Sequence, residues 1–115
     1  MVSSKALVFA ASLLVGSVSA FSGRATFYSV ETGASQCGPT FSNSDIVVAL
    51  PVAHYASGAH CGDTISVTFG STTIHPTIID SCPACSGDSI DLSPAAFQQL
   101  ASLDTGLINV EWDFD

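Results

Sequence analysis

Ile78-Ile79-Asp80-Ser81-Cys82-Pro83-Ala84-Cys85, followed by Ile90-Asp91-Leu92-Ser93-Pro94, is the stretch on which the fold turns. It sets two carboxylates on either side of a cysteine-bounded loop, each in a short apolar run. The first run closes a strand over 72–80, in which Pro76 argues for an edge or a bulge. The second leads straight into a helix start. Ser93 can accept from the free N–H groups there, and Pro94 fits the first helical position. Acids at both mouths of a pinned loop make it a candidate site as well as a connector.

Outward from this stretch the pattern is mostly period two, the signature of half-buried strands. Residues 23–29 read as a first strand, and 46–50 as a short apolar run ended by Pro51. Residues 64–69 alternate, with Ile65, Val67 and Phe69 inward, and Gly70-Ser71 is a two-residue hairpin signal. A short helix is expected over 95–102, then a last strand over 107–114 with Ile108, Val110 and Trp112 on one face. Residues 52–61 read as a turn with at most a helical fragment. The fold class is all-β, with about six short strands and one short α-helix. A barrel manages the edges of so small a sheet best, with a sandwich as the alternative.

Residues 1–20 read as a secretory signal peptide: Lys5, then the apolar 6–15, then Val18-Ser19-Ala20 at a cleavage position. The barrel domain would then span 21–115. Secretion makes disulfides the default for Cys37, Cys61, Cys82 and Cys85. Three pairings are open. Cys37–Cys61 with Cys82–Cys85 is favoured, the first closing a long loop and the second shaping a very short one. Arg24 is the only Lys or Arg in 21–115, against all ten acids of the chain. Nucleic acid, anionic membranes and acidic polysaccharides are therefore poor partners.

Gly23-Arg24-Ala25-Thr26-Phe27-Tyr28, Cys37-Gly38, Cys61-Gly62-Asp63, Asp80-Ser81-Cys82-Pro83, Asp91-Leu92-Ser93-Pro94 and Ile108-Asn109-Val110-Glu111-Trp112 occur in that order. Together they resemble the double-psi β-barrel domain of expansins and barwin-like proteins. Single-domain fungal members, the loosenins, are especially similar. The resemblance implies a six-stranded barrel with an open groove carrying Thr26, Asp80 and Asp91, and Tyr28 at a position where the family has a hydroxyl-bearing residue. Expansins are in turn similar to family 45 glycoside hydrolases, in which the counterpart of Asp91 is the general acid. Inverting hydrolysis needs a second, ionised carboxylate. Ser29 stands near the point where such a hydrolase places its base, and Ser cannot serve at neutral pH. Glu31, two residues on, reads as a solvated loop acid.

The function implied is secreted: binding and loosening cellulose or chitin without hydrolysis, with Asp91 and Asp80 as the candidate pair. Tyr28 and Tyr55 are the candidate sugar contacts, with Phe41 behind them. Trp112 is assigned to the core. No cofactor or metal is expected, and the protein is expected to be a monomer. Two alternatives remain. One is a protein-binding module, such as a secreted cysteine-protease inhibitor. The other is a lytic glycosidase or transglycosylase, for which Asp45 and His54 loosely echo the spacing of lytic relatives. The Cys82-Pro83-Ala84-Cys85 spacing is that of redox motifs, but it lacks the βαβ context they need.

Overall fold

The computed structural model describes residues 20–115; the expected signal peptide lies, but for Ala20, outside them. The alternating segments form strands as their patterns dictate. They are β1 (Phe21–Phe27), β2 (Val47–Pro51), β3 (Ile65–Phe69), β4 (Thr72–Ile74), β5 (Thr77–Cys82), β6 (Ile90–Leu92) and β7 (Ile108–Phe114). Their order in the sheet is β4-β3-β7-β1-β6-β2-β5. The β1–β6 and β2–β5 pairs are parallel and their neighbours antiparallel. A Thr64–Thr77 bridge then joins the start of β3 to β5. Hydrogen bonds from Ile65 N to Pro76 O (3.1 Å) and Ile78 N to Asp63 O (2.8 Å) flank that bridge. Six strands thus close on one another as expected.

The seventh strand arises at His75-Pro76. Proline has no N–H for a ladder, so the expected single strand over 72–80 breaks there. β4 stays outside the ring, in a hairpin with β3 through the Gly70-Ser71 turn. Gly70 has φ 62°, which a side chain would disfavour.

Alternate residues of each strand fill the barrel. Ala25, Val67, Ile78, Ile90, Leu92, Val110 and Trp112 are buried, with Phe97 plugging one side. β2 is buried along its whole length. Its outward-facing Val47 lies in a second small cluster with Val30 and Ile79, against which Tyr28 and Phe41 pack. The helix α2 covers only Pro94–Gln98, shorter than the expected 95–102. Beyond Gln98 the chain tightens, with Gln99 N bonding to Ala96 O and Leu100 N to Phe97 O. Ser93 caps α2 as expected. It is fully buried, donates to Asp45 O (2.6 Å) and accepts from Ala96 N and Val47 N. A further helical turn, α1 (Val52–Tyr55), ends where Ala56 and Ser57 turn left-handed.

Two disulfides, Cys37–Cys61 and Cys82–Cys85, realise the favoured pairing. The turn before β6 is held independently. Trp112 Nε1 donates to Asp88 O (2.9 Å), and His54 Nε2 lies 2.8 Å from Asp88 Oδ1. Gly23 passes so close that a Cβ there would stand 2.2 Å from Asp88 O. Only glycine lets β1 run against that backbone.

Candidate functional site

Register builds the site. Thr26 pairs with Asp91 across β1–β6, Asp91 with Ala49 across β6–β2, and Ala49 with Asp80 across β2–β5. Paired residues on neighbouring strands point to the same face. Four strands therefore set Thr26, Asp91, the buried Ala49 and Asp80 in one row on the outward-facing side of the sheet. A register shift between Val48 and Ala49 brings Asp80 into that row, with Ile79 as the extra residue. Such bulges re-aim side chains. Asp80 and Asp91 are two strand spacings apart, roughly 10 Å between backbones.

Each carboxylate has its own support. Thr26 Oγ1 donates to Asp91 Oδ1 at 3.0 Å. Asp80 Oδ1 accepts the Gln36 N–H at 2.9 Å, and Asp80 Oδ2 accepts the Tyr28 hydroxyl at 3.2 Å. Asp80 thus ties down the loop around Cys37 and not its own loop. Burial pushes the Asp91 carboxyl above the usual range, and the Thr26 hydrogen bond only partly opposes this. Asp80 is not among the causes, so the charge of the second acid does not drive the shift. The Tyr28 phenol is also pushed up, first by burial and then by the charge of Asp80 and its hydrogen bond, with Asp91 adding a smaller push. It stays a fixed donor at any physiological pH.

Beside Asp91 lies a cavity of about 280 Å³, lined by Arg24, Thr26, Leu107 and Asp91 and walled by the Cys82–Cys85 disulfide. That small-loop disulfide therefore shapes the site. Arg24 and Leu107 were not among the sequence candidates. Arg24 was findable, since it alternates with Thr26 on β1 and so shares its face. Leu107 is an apolar side chain left exposed at the cavity edge.

Tyr55 does not join this cavity. Its hydroxyl lies 3.5 Å from Cys61 Sγ and 3.8 Å from Cys37 Sγ, against the first disulfide. His54 is likewise placed elsewhere, bonded to Asp88 and packed on Phe21 and Trp112. Glu31 Oε2 accepts from Asn43 N (2.7 Å) and Ser42 Oγ (3.1 Å) and so fastens its loop, while the neighbouring Ser29 Oγ accepts from Asn43 Nδ2 (3.3 Å). Ser66, His75 and Asp115 meet on the far side of the barrel. Both partners bond the same imidazole nitrogen, Nδ1, so no Ser-His-Asp relay exists. Among the described residues no group of three or more His, Cys, Asp or Glu is placed to hold a metal. No helix among them is long and apolar enough to cross a membrane.

The raised Asp91 carboxyl has a consequence for stability. A folded value above the unfolded one gives a contribution fully present below the unfolded value and lost as pH rises through the folded one. Asp91→Asn removes that loss and keeps an acceptor for Thr26. We expect its melting temperature at pH 7 to exceed that of wild type. The gap should close below about pH 3.5, where Asp91 is neutral in the folded and the unfolded chain alike. Paired thermal melts at the two pH values check this; a lower melting temperature at pH 7 would contradict it.

Comparison with known proteins agrees with this fold. The sequence model of the family described as lytic transglycolase matches residues 20–112. A papain inhibitor from Streptomyces mobaraensis is 35% identical over 100 residues, 80% of this chain and 69% of that protein. The solved structure of a Streptomyces papain inhibitor aligns with a TM-score of 0.73 at 31% identity, covering 84% of this chain and 96% of that one. A variant of the Clavibacter michiganensis expansin, solved in complex with cellohexaose, aligns with a TM-score of 0.74 at 27% identity. That match covers 82% of this chain and 49% of the expansin chain, so this chain spans about half of it. The chain belongs to the double-psi β-barrel family described as lytic transglycolase, and within it is an expansin-like domain.

Proposed function

We propose that the chain is a secreted expansin-like protein that binds wall polysaccharide, cellulose or chitin, and loosens it without hydrolysis. The observation that carries this reading is the unequal pair on one face. Asp91 is half-buried and biased toward its neutral form, while both oxygens of Asp80 already accept hydrogen bonds. A neutral carboxyl donates to a sugar hydroxyl and a fixed acceptor receives from one. Inverting hydrolysis needs an ionised carboxylate free to activate water about 6.5–9.5 Å from the acid. Asp80 already accepts from Tyr28 and Gln36, and Glu31 from Ser42 and Asn43, which makes each a weaker base toward water while leaving lone pairs for a sugar hydroxyl. The similarity to an expansin solved with cellohexaose supports a glucan as ligand. Residues 1–20 as a leader, two disulfides and a shortage of cations fit export and an uncharged polymer. Incubating the protein with cellulose and chitin, and measuring loosening alongside soluble sugar release, tests the reading.

A second reading is supported by the similarity to papain inhibitors. On it the loops grip a secreted cysteine protease. Inhibition of papain by a protein that cellulose and chitin beads fail to retain would favour this over the first. Lytic cleavage, which the family's description names, would appear as new chain ends in the soluble products.

A further inference from the structure

Beyond the Asp91 cavity lies a larger one, about 630 Å³, floored by β1 and β7 and bounded by the turn before β6. The two share Arg24, Ser86 and Ser89, so they form one trough with Arg24 at the junction. Register gives the floor its chemistry. Arg24 pairs with Asn109 and Ser22 with Glu111, so these four side chains lie on the outer face that also carries Thr26. All four are exposed. Arg24 forms no ion pair with any described residue. The bounding turn is held at Asp88 by Trp112 and His54, with Gly23 packed closely against its backbone. From Thr26 to Ser22 the trough runs about 14 Å along β1.

We infer that this trough is an extended subsite that takes the same polysaccharide chain as it continues past Asp91, with Arg24 donating to its oxygens at the crossing. The inference rests on the glycan-binding reading above. A hydroxyl-rich chain fits because the lining alternates donors and acceptors, namely guanidinium, amide, hydroxyl and carboxylate. The volume lies within the usual range for binding sites. A polyanion does not fit, because Asp88 and Glu111 also face the space. Continuity with the Asp91 cavity makes the occupant the same chain and not a separate small ligand.

Calorimetric titration of the whole protein with cello-oligosaccharides and N-acetylglucosamine oligomers, from dimer to hexamer, tests this. In the wild type the hexamer should bind roughly tenfold more tightly than the dimer. Asn109→Ala removes an amide from the trough alone, and Ser22→Phe fills it from an exposed strand position. Both variants should keep wild-type affinity for the dimer and lose the gain with length. A wild type without that gain, or variants that retain it, overturns the subsite and leaves the Asp91 reading standing. No binding at any length overturns both.

Discussion

Asp91→Asn should cut loosening of cellulose or chitin at least tenfold while the protein remains folded. The substitution preserves size and still offers an oxygen to Thr26. What it removes is the carboxyl group whose protonated form burial favours. One hydrogen bond to a buried, polarised group accounts for a tenfold effect or more. The pH profile separates this from a general loss of shape. Asp91 is protonated below its raised value and ionised above it. Wild-type loosening should therefore be strongest in acid and decline as pH rises beyond the usual carboxylate range, about 4. The residual activity of the Asn variant should not follow that profile. A variant with wild-type loosening, or a wild-type profile rising with pH, would remove Asp91 from the account.

Loss of the Cys37–Cys61 bond should have the largest effect on stability. It links residues 24 apart in sequence. Closing such a loop stabilises by about 3 kcal/mol on the chain-entropy estimate, so Cys37→Ser with Cys61→Ser should lower the melting temperature by roughly 15 °C. The effect reaches the site. Cys37 N bonds to Ile79 O (3.1 Å), and the adjacent Gln36 N holds Asp80. Faster amide exchange at Gln36 should accompany the drop. Removing Cys82–Cys85, which spans three residues, should cost less stability, because so short a loop loses little entropy on closure. A double Ser variant at positions 37 and 61 that melts like wild type would show that the core alone holds this loop.

What could be read from the sequence was what local chemistry decides. Ser93-Pro94 starts a helix because the hydroxyl and the missing N–H act within one turn. Ile108, Val110 and Trp112 point inward because strand period is two. Pro76 breaks a strand because it cannot donate. What could not be read depends on pairing between distant segments. Tyr28 meets Asp80 across 52 residues, and Gln36 meets it across 44. Nothing local announces either contact. His54 illustrates the same limit: its spacing from Asp45 loosely echoes lytic relatives, while Asp88, 34 residues on, draws it into the aromatic cluster around Trp112. Tyr55 was assigned to sugar for its ring, and the fold sets its hydroxyl on a disulfide. Thr26, Asp80 and Asp91 came from the family resemblance, and the sheet register supplies the physical reason they share a face.

The central claim is that this face grips a glycan and does not cut it. The most direct measurement incubates wild type and Asp91→Asn with cellulose and with chitin, following mechanical loosening and soluble products by mass spectrometry in the same samples. The account predicts loosening by wild type with soluble sugars at the level of the protein-free control, and loss of that loosening in the variant. New reducing or anhydro ends that accumulate with wild type and vanish with Asp91→Asn would contradict it.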